Sequence, residues 1–240
     1  MRKTAIIVGL LFKLMNASSQ NADEIISKYY EATGGKSLWA KVQSLKYEGH
    51  YVMGPGAFAP VNQYIANEIS YSDFSWNGMT SRSARNGDKG WSYTPWSGKR
   101  IADPMTKDDI HGSRLMSDPQ GLLFNYAQKG HIVEYVGTDD FDGTEVHKIK
   151  LTTKEGDFVY YYFDIESSYL LKVYAKIKLS DKEQKVITNY SDFKKNEFGV
   201  ILPYANNWVN EQGDEGGLTQ FKKIDVNVKI DDKLLEMPNK

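Results

Sequence analysis

The 240-residue chain contains no cysteine. Disulfides, thiol nucleophiles and cysteine-bound zinc are therefore excluded, and the packed core alone must hold the fold. Positive charge is not in excess either, with 30 Lys and Arg against 31 Asp and Glu and no basic block. A nucleic-acid surface needs clustered cations to displace counterions, so nucleic acid is not an expected partner. Histidine is scarce: His50, His111, His131 and His147 never stand at metal-ligand spacing, and zinc needs three or four converging ligands. They read as surface or sheet-edge residues. Asp139-Asp140-Phe141-Asp142 lacks the alternating oxygens and closing Glu of a calcium loop, and reads as a hairpin turn. No carboxylate pair is marked as buried. The expectation is a non-enzymatic protein with no catalytic residue, no metal and no cofactor.

Long apolar runs are also missing. The stretch from Thr4 to Met15, broken by Lys13, is too short to span a bilayer. Met1-Arg2-Lys3 precedes it and Ala17, Ser18 and Ser19 follow, which is the pattern of a signal peptide. Residues 1–19 are expected to be removed near Ser19 or Gln20, leaving 20–240 as one exported domain. No lipid-anchoring cysteine follows.

Aromatic residues, by contrast, are plentiful: 16 Tyr, 10 Phe and 5 Trp. They favour pleated strands and also line apolar pockets. Asn21-Ala22-Asp23-Glu24 opens a helix with a capping-box pattern, Ile25, Ile26, Tyr29 and Tyr30 share its apolar face, and Gly34-Gly35 ends it. A short second helix over 37–42 turns Leu38, Trp39 and Val42 inward. From Leu45 the period becomes two, with strands at 45–52, 62–67, 69–76, 79–85 and 90–95, and hairpin turns at Asn77-Gly78 and Asn86-Gly87. Alternation lapses between Pro104 and Gly130, where Thr106 caps one helical turn and Asp118-Pro119 starts another helix carrying Leu122, Leu123, Phe124 and Tyr126. Residues 130–172 then form a meander, because Asp142-Gly143, 154–157 and 164–168 are short turns and short turns join antiparallel neighbours. Strands at 171–179, 186–193, 199–210 and 217–230 complete the chain. Lys172, Lys176 and Lys178 form a basic row that reads as the solvated face. The sum is a mainly β (α+β) chain: a single curved antiparallel sheet of about eleven strands.

With its elements in this order, the sequence resembles the Bacteroidota-type outer-membrane lipoprotein-sorting proteins, relatives of the LolA and LolB carriers. The matching residues are 22–28 with Glu31-Ala32-Thr33-Gly34-Gly35, Leu45-Lys46-Tyr47-Glu48-Gly49, Asp88-Lys89-Gly90-Trp91-Ser92-Tyr93-Thr94-Pro95, 129–137 with Phe141-Asp142-Gly143, Tyr161-Tyr162-Phe163-Asp164, Leu202-Pro203, Val226-Asn227-Val228 and Met237-Pro238. The resemblance implies an open half-barrel with helices as a lid over an apolar cavity. It implies a periplasmic carrier that holds acyl chains of lipoproteins or other lipids and delivers them toward the outer membrane. Its partners would be an acylated lipoprotein or lipid ligand and inner- or outer-membrane donor and acceptor proteins, and the carrier itself would be a monomer. A sensor or interaction module of the same fold, signalling to a protein partner, is the alternative. The carriers latch their lid through an Arg-Pro pair entering the second strand. The comparable Tyr64-Ile65-Ala66-Asn67-Glu68 has neither residue, so the same latch cannot operate here. Phe74, Trp76, Trp91, Tyr93 and Trp96, with Leu122, Leu123 and Phe124 from the lid, are the expected lining of the cavity, since ligand pockets are mostly apolar and aromatic.

Overall fold

A computed structural model describes residues 21–210 and 215–238; the expected signal peptide lies outside them. Thirteen antiparallel strands form one open sheet in the order β6-β5-β4-β3-β2-β1-β13-β12-β11-β10-β9-β8-β7. They are β1 (Ser44–Gly54), β2 (Ala57–Ala66), β3 (Ile69–Trp76), β4 (Met79–Asn86), β5 (Lys89–Tyr93), β6 (Asp103–Pro104), β7 (Ile132–Phe141), β8 (Thr144–Thr152), β9 (Phe158–Asp164), β10 (Leu170–Lys178), β11 (Glu183–Lys195), β12 (Ile201–Val209) and β13 (Glu215–Val226). Within the sheet, the two meanders β1–β6 and β7–β13 thus meet where β1 pairs with β13. The helices are α1 (21–32), α2 (Lys36–Trp39) and α3 (Lys107–Leu115).

Short loops set the registers. Asn77 and Gly78 both take positive φ, as do Asp142 and Gly143, the twist that lets a two-residue turn join right-twisted strands. Gly49 has a different task. A Cβ there would stand 2.2 Å from the Gln220 carbonyl oxygen, so only glycine lets β1 cross the bulge opposite β13.

Register decides which face each side chain occupies. On the concave face stand Leu45 and Tyr47 of β1, Ile149 and Leu151 of β8, Val159, Tyr161 and Phe163 of β9, Ala175 and Ile177 of β10, Leu202 and Tyr204 of β12, and Phe221 and Ile224 of β13. They form the main core with Ile25, Ile26 and Tyr30 of α1, Trp39 of α2, and Leu123 and Phe124. The outer face is covered in two ways. Over β8–β10, Lys148 lies above the Tyr160 and Tyr162 rings, Lys172 above Tyr162, and Lys176 above Tyr174, so lysine stems shield the rings while the ammonium groups meet water. Over β1–β5, a row of Tyr64, Tyr71, Ala84 and Trp91 is covered by the chain that follows β13.

Two expectations are corrected. The last strand ends at Val226, not Ile230. Asn227 takes φ 60° and its side chain bonds Gln43 N (2.7 Å) and the Lys41 carbonyl (2.9 Å), which turns the chain out of the sheet. Residues 118–130 are a series of turns rather than a helix, because Gly121 and Asn125 adopt positive φ and break any helical run.

Candidate functional site

The concave face is closed at one end by a plate of α1, α2 and the 118–130 turns. Edge-on ring contacts join Tyr30 to Phe124 at 5.2 Å and to Trp39 at 5.7 Å. The Tyr30 hydroxyl donates to the Gln120 carbonyl, the Gln120 amide donates to the Trp39 carbonyl, and the Trp39 indole donates to Thr33 Oγ1, each at 3.0 Å. Ile201 N donates to the Thr33 carbonyl at 2.9 Å, which fixes this plate to β12.

α3 crosses the mouth as a strut. Its start is a full capping box between Thr106 and Asp109, the pattern that satisfies the first free amides. On one side Arg85 of β4, with only 1% of its side chain exposed, donates from Nε to Ser113 Oγ (3.1 Å) and from Nη1 to Glu68 (3.0 Å) and the Gly87 carbonyl (3.0 Å). Arg114 adds bonds to Glu68 and Asp88. Burial works against the Glu68 carboxylate, but Arg114 and Arg85 outweigh it and hold its pKa below the ordinary value. On the other side His111 Nε2 meets the buried Asp157 carboxylate at 3.0 Å, and Asp108 accepts from the Ser180 hydroxyl at 2.8 Å. Asp157 also accepts from Thr153 Oγ1 and Lys178 N, so a buried acid is fully bonded, as burial demands. α3 therefore ties β3–β4 to the β8–β9 and β10–β11 turns. Arg85 thus fastens the helix from β4.

Away from this plate and α3, no element among the described residues covers the concave face. Phe74, Trp76 and Met79 point to that side from β3 and β4, Tyr51 from β1 and Trp208 from β12. Trp96, on the turn after β5, meets Phe74 edge-on at 5.7 Å, and Phe74 meets Tyr51 at 5.8 Å. Met79 is 42% exposed, Trp96 48% and Trp208 50%. Gly216 and Gly217 make room for this arrangement, since a Cβ at either would strike the Trp208 or Tyr51 ring.

The expected lining residues therefore separate into three places. Phe74, Trp76 and Trp96 share the open rim. Leu122, Leu123 and Phe124 belong to the plate, with Leu123 and Phe124 fully inside the core. Trp91 and Tyr93 lie on the outer face, where the Trp91 indole donates to the Leu235 carbonyl at 3.0 Å. There the terminal segment roofs two hollows of about 460 and 450 Å³ that share Tyr71, Asp73 and Leu234. The Tyr71 hydroxyl donates to Asp73, and burial together with that carboxylate pushes its pKa up to about 12.

Reasoning from sequence missed a set of tyrosines on the concave face: Tyr29, Tyr47, Tyr161 and Tyr190. Burial raises the pKa of all four, that of Tyr190 to about 12. Their positions at inward-facing strand and helix sites were the available signal. Among the described residues there is no group of His, Asp and Glu able to hold a metal, and no helix long and apolar enough to cross a membrane.

No protein-family model matches this sequence, and no curated protein matches it in sequence. Solved structures do match in fold. A LolA superfamily protein from Nitrosomonas europaea superposes with a TM-score of 0.51 at 12% identity, covering 90% of this chain and 97% of its own. A DUF1329 family protein from Desulfovibrio piger gives 0.54 at 12% identity, over 89% and 96%. A domain assigned to outer membrane lipoprotein sorting from Vibrio parahaemolyticus gives 0.52 at 10% identity, over 88% and 94%. The chain thus has the LolA-like open half-barrel fold.

Proposed function

We propose that this chain is a non-enzymatic carrier that binds acyl chains, of lipoproteins or of other lipids, on its concave face. One observation carries the reading: on the inner side of a half-barrel, Met79, Trp96 and Trp208 are exposed beside the half-buried rings of Tyr51, Phe74 and Trp76, an aromatic and thioether surface. Exposed apolar patches on soluble chains mark interaction sites. Each methylene shielded there contributes about 0.8 kcal/mol, so even part of an acyl chain supplies useful affinity without any covalent step. A periplasmic location and delivery toward the outer membrane, with membrane-bound donors and acceptors, are the finer form of this reading. They are supported by the fold shared with the Vibrio domain.

Mass spectrometry of material that co-purifies with the protein, native and then denatured, is the test. Acylated peptides establish a lipoprotein carrier, and phospholipids or fatty acids keep the carrier but change the cargo. A protein that arrives empty and takes up no lipid in vitro refutes the reading. That result would favour an interaction module, for which the lysine-covered outer face of β8–β10 is the available surface.

A further inference from the structure

Four phenols converge on the concave face from different elements. Tyr29 comes from α1 and Tyr47 from β1. Tyr161 of β9 stands in register with Val173 of β10 and Thr188 of β11, and Tyr190 follows Thr188 by two residues on the same face. Ring contacts fix three of them: Tyr47 against Phe221 at 4.9 Å, Tyr29 against Phe163 at 5.3 Å and Tyr161 against Phe163 at 6.3 Å. The hydroxyls are close enough that charge on Tyr190 would be felt at Tyr29, Tyr47 and Tyr161.

Three other buried tyrosines have hydroxyl partners in the protein: Tyr30 bonds Gln120, Tyr64 bonds Val228 and Tyr71 bonds Asp73. Among the described residues, no protein group accepts from the hydroxyls of Tyr29, Tyr47, Tyr161 and Tyr190; Tyr29, Tyr47 and Tyr190 are half-buried, and none of the four hydroxyls is sealed away from solvent without a partner, so they open onto the space above the concave face. Phenylalanine would fill an apolar core at these positions without the cost of desolvating a hydroxyl. Four such hydroxyls facing one space are therefore a set of donors awaiting an acceptor.

Resting on the carrier reading, we infer that this cluster selects a ligand bearing an uncharged acyl carbonyl, as in an ester or amide, next to its hydrocarbon chain. The hydroxyls stay protonated and can donate. Among the described residues, the ionisable groups that bear on them are one another, Tyr204 and Asp118, and none of these is a cation, so a bare carboxylate would lose water there without gaining a counter-charge, which is costly. Tyr47 and the rim residue Tyr51 lie on the same strand and face, roughly 13 Å apart at the usual rise. A chain lying along β1 reaches the rim while its carbonyl meets the phenols.

The test is displacement of the fluorescent probe N-phenyl-1-naphthylamine from the purified protein by tridecane, methyl laurate and laurate. Methyl laurate is expected to displace at roughly tenfold lower concentration than tridecane, the worth of one or two neutral hydrogen bonds. The double variant Tyr47→Phe, Tyr190→Phe should bring that ratio close to one, with a thermal midpoint no lower than that of the wild type. The wild-type ratio tests the inference even if the variant does not fold. Equal displacement by ester and hydrocarbon overturns the inference and leaves the carrier standing, and so does a preference for laurate over its methyl ester. Failure of all three overturns the carrier reading itself. The same carbonyl occurs in lipidated polypeptides and in free glycerolipids. Stronger displacement by a diacylated lipopeptide than by phosphatidylglycerol assigns the first source, the reverse assigns the second, and no displacement by either overturns the inference.

Discussion

Replacing Arg85 by Met tests whether α3 is a strut or merely rests on the sheet. The substitution removes three hydrogen bonds, to Ser113, Glu68 and the Gly87 carbonyl, and hydrogen bonds to charged groups each contribute about 1.5–3 kcal/mol. Two effects reduce the sum. The buried guanidinium no longer has to be desolvated. Glu68, half exposed, keeps Arg114, and Ser113 keeps Ser70 at 3.0 Å, so no buried charge is orphaned. A net loss of about 2 kcal/mol follows, or roughly 4–8 °C in thermal midpoint for a chain of this size. Circular dichroism melts measure the first quantity, and hydrogen exchange over 107–115 measures the local one. Exchange should rise in α3 while β8 and β9 stay protected, because their ladder is independent of Arg85. A midpoint shift below about 1 °C, or exchange in α3 unchanged, would refute the strut.

Three further outcomes are expected. Gly49→Ala must displace the β13 backbone, with Phe221 Cα 2.8 Å and the Gln220 carbonyl oxygen 2.2 Å from the new Cβ; chemical denaturation should show a loss of about 1–3 kcal/mol, and a neutral result would contradict the close approach. Asn227→Ala removes the bonds to Gln43 N and the Lys41 carbonyl, which should loosen residues 227–238 and raise Trp91 accessibility to acrylamide; unchanged quenching would sink that role. Burial depresses the pKa of His131 and of His147, so the unfolded chain binds more protons as pH falls through about 6.5; the contribution is present above that value and lost below it, and the midpoint should drop between about pH 7 and 5, an effect that His131→Gln with His147→Gln should flatten.

Much of the fold could be read from the chain because its rules are local. Asn77-Gly78 and Asp142-Gly143 announce their turns by chemistry alone, Thr106 and Asp109 announce a helix start, and alternation from Leu45 onward announces the sheet. The failures are of longer range. Val226, Val228 and Ile230 keep the period of a strand, but Asn227 finds partners 184 and 186 residues away, and no periodicity records that. Trp91 alternates like a cavity residue, yet alternation gives two faces without saying which is concave; the answer depends on a terminal segment that covers the outer side. Arg85 and the His111–Asp157 pair were equally hidden. Their partners sit 28, 17 and 46 residues along the chain, brought close only by the curvature of the sheet.

That curvature also bears on the exposed rim. A sheet of thirteen strands has two faces to satisfy, and this chain spends residues on most of both. Lysine stems cover the tyrosines of β9 and β10, residues 228–235 cover Tyr64, Tyr71 and Trp91, and α1, α2 and the 118–130 turns cover the inner strands. A polar side chain at Trp96, Trp208 or Met79 would have met the same solvent more cheaply, because each lies at or beyond a strand end and carries no obligatory core contact. Apolar bulk held at an open rim by glycines that would otherwise clash with it is costly for the isolated molecule. It becomes favourable when a hydrocarbon chain lies across it, which is the condition under which a carrier works.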